Sequence, residues 1–157
     1  KQYFPDHFME LVSVIIGLGT SYKELDQPKL AISHFEEALR IFENKRQLNH
    51  PLIAKILIDL SHLYLLNGDL VKAEASILDS IEISKNNSCR ESFAALEVLS
   101  NLYKRKADLA SSQGHENVSQ EMKIMSRAYL KEAYEAAKNR LSKDSPHLLR
   151  LYTALMS

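Results

Sequence analysis

The feature that most restricts how this chain can fold is a four-residue stripe that returns in register. Ile15, Leu18, Gly19 and Tyr22 stand at i, i+3, i+4 and i+7, the spacing of one face of an α-helix. Leu57, Leu60, Ser61 and Tyr64 repeat the stripe 42 residues later, and Leu96, Leu99, Ser100 and Tyr103 carry it again, with Tyr103 39 residues after Tyr64. One amphipathic helix cannot bury such a stripe alone, whereas stacked copies bury it against one another. The pattern therefore predicts an array built from one helical unit used several times.

Each stripe leads into a second helix. Ala31, Phe35 and Ala38 follow the first, with Ala31 nine residues after Tyr22, and Ala73, Ile77 and Ser80 take the same places after the second. Gly19 removes a side chain where the second helix must pass closely, Ala31 and Ala38 do the same from the other side, and Phe35 fills the space between. Pro5, with Asp6 beside it, opens a helix that runs to about Leu25 with Phe8, Leu11, Val12, Ile15, Leu18 and Tyr22 as its apolar residues. After a turn at Asp26-Gln27-Pro28, the partner helix from Lys29 to Asn44 turns Ala31, Phe35, Ala38, Leu39 and Phe42 inward. Asn49-His50-Pro51 restarts the pattern, and Asn67-Gly68-Asp69 supplies a helix-ending glycine and an N-cap aspartate.

The third unit is displaced. Ser126, Leu130 and Ala133 align with Ala31, Phe35 and Ala38, which leaves 23 residues between Tyr103 and Ser126, 14 more than in the earlier units. Both helices are expected to lengthen, so that residues 104–122 project past the stack around a polar turn at Ser111-Ser112-Gln113-Gly114-His115. Ser145-Pro146-His147 then opens a terminal helix with Leu148, Leu149, Leu151, Tyr152 and Leu155.

Leu18, Gly19 and Tyr22 followed by Ala31-x3-Phe35-x2-Ala38 resembles the tetratricopeptide repeat, a helix–turn–helix unit of about 34 residues. The 42-residue spacing and the restarts at His50-Pro51 and Ser145-Pro146 resemble the long-repeat class that includes the kinesin light chain, a likeness covering residues 12–157. The resemblance implies an all-α, right-handed superhelical array of helix–turn–helix repeats forming one domain over residues 1–157. Its repeats would span about 12–50, 54–89 and 93–143, with an insertion near 104–122 and a terminal helix over 146–157.

The same resemblance implies a protein–protein interaction module that binds a peptide segment of a partner in a concave groove lined by first helices. The matching first-helix positions off the buried stripe are Lys23, Lys55, Ile58, Asp59, His62 and Leu66, and in the third unit Glu97, Asn101, Lys104 and Arg105. Two specialised versions of the groove are not carried over. Where the kinesin light chain type presents adjacent asparagines, this chain has Ile16-Gly17, Ile58-Asp59 and Glu97-Val98, and where chaperone-tail binders carry a Lys-and-Asn clamp it has Ile16, Thr20, Ile58 and His62. An alternative reading is a structural or self-associating segment of a larger assembly or multidomain enzyme. Ile58, Leu65 and Leu66 make the helix from Leu52 to Leu66 apolar nearly all round, so it should be covered on more than one side, by a ligand or by an internal element.

Composition narrows the rest. Twenty Lys and Arg balance twenty Asp and Glu, so no long-range field draws in nucleic acid or an anionic membrane. No run of about 18 apolar residues occurs, so no membrane insertion is expected. Cys89 is the single cysteine, which excludes an intrachain disulfide framework and points to a reducing compartment such as the cytoplasm. There the acceptor-like triplets at Asn86 and Asn117 carry no meaning. His7, His34, His50, His62, His115 and His147 form no i, i+4 pair around a carboxylate, and glycines 17, 19, 68 and 114 make no phosphate loop. No catalytic residue, metal or cofactor is therefore expected. Glu36-Glu37 reads as a solvated face, and Lys104-Arg105-Lys106 as a charged exterior able to meet an acidic peptide. A chain that begins at Lys1 and ends at Ser157 within a helix is expected to be a piece of a longer protein.

Overall fold

Seven α-helices and no strand make up the residues described by the computed structural model, 7–87 and 93–157. They are α1 (Phe8–Glu24), α2 (Pro28–Asn44), α3 (Pro51–Leu66), α4 (Leu70–Asn86), α5 (Phe93–Ser112), α6 (Glu116–Lys138) and α7 (Pro146–Met156). Each of α1/α2, α3/α4 and α5/α6 packs as a hairpin, and α7 lies against α6. This is the array of three helical hairpins and a terminal helix that the stripes predict. Pro5, Asp6, Ser88 and Cys89 fall outside the described residues.

The punctuation is local chemistry. Pro28, Pro51 and Pro146 occupy first turns, where a missing N–H costs nothing. Asp69 caps α4 by accepting from the Lys72 amide at 3.1 Å, and the His50 Nδ1 accepts from the Leu52 amide at the head of α3. Gly68 and Gly114 supply the left-handed turn residues, with φ of 81° and 79°.

Helices meet where side chains are smallest. Phe35 is fully buried against Gly19, and a Cβ placed on Gly19 would sit 2.9 Å from its ring. Ser61 takes the place of Gly19 in the second hairpin, where Ile77 takes that of Phe35 in the sequence register, and donates its hydroxyl to the Ala73 carbonyl at 2.6 Å. Ser100 holds that place in the third, and there Ser126 donates to the Ser100 carbonyl at 2.7 Å. That bond matches Ser126 with Ala73, and hence with Ala31, as the sequence alignment requires. The 14 extra residues are accordingly absorbed by longer helices, 20 residues in α5 and 23 in α6, closed near their turn by buried Ala107, Ala110 and Ser119.

Two details depart from the sequence reading. Leu18 and Leu11 are not part of the buried face of α1: they are 43% and 53% exposed, whereas Val12, Ile15 and Gly19 are buried. Leu60, the register equivalent of Leu18, is 2% exposed, because α3 is enclosed by α2, α4 and α5, while α1 packs mainly on α2. The same enclosure explains the all-round apolarity of α3, whose Leu65 is buried and whose Ile58 is half-buried against the core. Neighbouring helices of the chain itself supply that cover, and only Leu66, 59% exposed, remains outside it.

Candidate functional site

Glu97, Asn101 and Lys104 follow one another at i, i+4 and i+7, so they share the face of α5 adjoining its buried stripe. Across from them, Lys123, Ser126, Arg127 and Leu130 form a similar stripe on α6, and the Ser100–Ser126 contact fixes the close approach of the two helices. Helix α7 closes the third side with Arg150, Leu151 and Leu155. Between the three helices lies a cavity of about 410 Å³. Its floor is apolar, from Leu130, Leu151 and Leu155, and its rim carries four cationic side chains against one carboxylate.

That carboxylate is already engaged. Glu97 accepts from Arg150 at 2.8 Å, and the buried His147 Nε2 lies 3.3 Å away without a hydrogen bond. Arg127 donates to the Leu155 carbonyl at 3.2 Å, which orients its guanidinium without neutralising it. Lys123 stands 3.8 Å from Glu116, and Lys104 has no hydrogen bond or ion pair among the described residues. The cavity thus offers positive charge and N–H donors above an apolar floor, an arrangement that suits a carboxylate-bearing, partly apolar ligand.

The remaining sequence-derived positions divide. Lys23 and Asp59 pair with each other at 2.7 Å, tying α1 to α3 while both stay partly exposed. Ile58 packs into the core, whereas Lys55, His62, Leu66 and Arg105 are exposed. The basic run at 104–106 splits: Lys104 faces the cavity, Arg105 faces solvent, and Lys106 binds Glu74 at 2.6 Å. Lys123, Arg127 and Arg150 are missing from the sequence-derived set because only first-helix positions of three units entered it. The signal for Lys123 and Arg127 is the i, i+3, i+4, i+7 stripe of α6, whose Ser126 and Leu130 already align with Ala31 and Phe35, while Arg150 joins them from α7.

Glu36 is likewise more than a solvated carboxylate. It accepts the Tyr64 hydroxyl at 2.6 Å, joining α2 to α3, and burial first, then this acceptor and its charge, hold the phenol ionisation well above its ordinary range. No three His, Cys, Asp or Glu among the described residues cluster so as to hold a metal. No helix among them is long and apolar enough to cross a membrane.

Comparison with known proteins agrees with this architecture over the first two hairpins. Residues 10–86 match a family model described as the tetratricopeptide repeat. No curated protein matches the chain. The matched segment covers α1 to α4 except for Phe8 and Met9 at the start of α1, and the Ser100–Ser126 contact repeats its hairpin packing in α5 and α6. Over residues 10–86 the chain is therefore similar to the tetratricopeptide repeat family, in sequence and in the packing of its two hairpins.

Proposed function

We propose that this chain is a protein-interaction module that binds an acidic peptide segment of a partner in the α5–α6–α7 cavity. One observation carries the reading: Lys104, Lys123, Arg127 and Arg150 surround an apolar floor while the sole carboxylate, Glu97, is taken up by Arg150. Asn101 adds an amide for peptide backbone, and Leu130 and Leu155 accept an apolar side chain. Lys55, His62 and Leu66 extend the surface onto α3, the neighbouring first helix. Tetratricopeptide repeats mediate protein–protein interaction in general, which agrees with this use.

The test is fluorescence anisotropy with a labelled octapeptide of alternating glutamate and leucine, read against one of alternating lysine and leucine. Wild type should prefer the acidic peptide, with affinity that falls as salt rises. Lys104→Glu with Arg127→Glu should weaken it at least about tenfold, since rim reversal turns attraction into repulsion. Equal affinity for the two peptides, or an unchanged affinity in the double variant, rejects the reading.

A further inference from the structure

A second groove lies elsewhere in the array, between the second helices α2 and α4, with α3 beneath it. Its volume is about 320 Å³. Ile53 and Leu57 of α3 line its base, Leu39 and Ile83 its walls, and Leu48, 59% exposed, stands at its mouth. The cavity treated above draws on α5, α6 and α7, so the two share no residue.

The rim of this groove is of one sign. Glu43 stands on the α2 side and Asp79 and Glu82 on the α4 side, and no lysine or arginine lines the groove. None of the three carboxylates has a hydrogen bond or ion pair among the described residues. Elsewhere the molecule does pair its carboxylates, as Asp59 with Lys23, Glu74 with Lys106 and Glu97 with Arg150. The sequence shows the same partition on a larger scale. Residues 1–87 hold nine Lys and Arg against twelve Asp and Glu, and residues 88–157 hold eleven against eight. The net charge of zero is therefore a sum of an acidic N-terminal part, which contains this groove, and a basic C-terminal part, which contains the other cavity.

We infer that the α2–α4 groove is a second protein-docking surface, whose occupant is a basic segment carrying leucine-like side chains between its lysines or arginines. The apolar floor supplies contact area for one or two aliphatic side chains, and the flanking carboxylates lie on both walls, where cations next to those side chains would meet them. The choice of a basic occupant follows from charge complementarity. An acidic or neutral segment would leave the three carboxylates repelled or unmatched, and a basic one would pair them at the rim. Together with the acidic-peptide site, the chain would hold two segments of opposite charge at separate places along one array.

The test uses the whole 157-residue chain, labelled with nitrogen-15 and titrated with a six-residue peptide of alternating leucine and arginine. Amide shifts are expected at Leu48, Asn49, Ile53 and Ile83, with little change at Asn101 or Leu130. Glu43→Gln, Asp79→Asn and Glu82→Gln combined should weaken this peptide at least about tenfold and leave the acidic octapeptide untouched, because the exposed carboxylates lie outside the other cavity. A glycine–arginine peptide of the same length should bind markedly more weakly than the leucine–arginine peptide. The inference is overturned if the triple variant binds like wild type, if the glycine peptide binds as tightly, or if shifts spread over the surface. It is equally overturned if sedimentation shows the groove covered by a second copy, with a dimer that persists in high salt and is lost on Leu48→Asp. Because the acidic octapeptide reports on the α5–α7 cavity alone, either site can fail without the other.

Discussion

Adding a single methyl group at Gly19 tests the close packing on which the first hairpin depends. A Cβ built there meets Phe35 Cε1, Cδ1 and Cζ at 2.9, 3.1 and 3.2 Å, and Phe35 is fully buried, so the ring has no solvent into which to swing. Forcing a methyl group into a filled core costs about 1–3 kcal/mol. Removing glycine from a helix interior returns about 0.5–1 kcal/mol. Gly19→Ala should therefore destabilise by about 1–2 kcal/mol, or lower the melting temperature by roughly 2–8 °C for a chain of this size. The second hairpin provides the compensating change, since it combines Ser61 at the register position of Gly19 with the slimmer Ile77 at that of Phe35, both buried. Phe35→Ile should accordingly relieve Gly19→Ala, with the double variant more stable than the sum of the single losses by about 1–2 kcal/mol. Urea unfolding followed by circular dichroism at each corner of the cycle measures this. A Gly19→Ala protein that is more stable than wild type would refute the reasoning, because helix propensity would then be acting without a steric penalty.

Tyr64→Phe removes the bond to Glu36 and should cost about 1.5 kcal/mol, the low end for a bond to a charged group because Glu36 is exposed; thermal melts measure it. Since the folded state raises the Tyr64 pKa above its ordinary value of about 10, the native chain keeps that proton where the unfolded chain releases it. That contribution is full below pH 10 and declines as pH rises above it, so the stability gap between wild type and Tyr64→Phe should narrow at high pH in paired denaturant titrations. Charge reversal at Glu36 should be more damaging than at Glu37, which lies 3.7 Å from the His34 ring without a hydrogen bond to it; comparison of the two midpoints decides. Ile58→Asp should lower stability by placing a charge against the core, whereas Leu66→Asp should stay within about 0.5 kcal/mol, as the same melts would register. Amide exchange should be fast at residues 111–117 and slow at Ala107 and Ala110; uniform protection through the turn would contradict the exposure there.

Much of the architecture is legible in the residues because a helical stripe and its close-packing partners are local patterns. Tyr22, Tyr64 and Tyr103 mark one register, and Gly19, Ser61 and Ser100 mark the points of closest approach. What a residue faces at those points depends on how many neighbours its helix has. Leu18 and Leu60 are equivalent in sequence and opposite in exposure, and no window of sequence around either one reports that α1 lacks the neighbours of α3. The candidate site is only half legible for a related reason. Glu97, Asn101 and Lys104 follow from first-helix register, but Lys123, Arg127 and Arg150 join them through the longer third hairpin and the placement of α7. The α2–α4 groove has no linear signature, since its floor and both walls come from three helices.

The long α5–α6 hairpin also has a bearing on the order in which the array forms. In a linear stack each unit contributes its own stability plus an interface with its neighbour, and folding starts most readily at the unit that is most stable alone. This hairpin has the longest helices, and the contacts nearest its turn, through Ala107, Ala110 and Ser119, close a short loop at small entropic cost. It is thus the expected nucleus, from which structure spreads to α7 on one side and to α3 and α4 on the other. Substitutions at Ala110 should then slow folding, and those at Phe35 should chiefly speed unfolding, a partition that chevron kinetics would resolve.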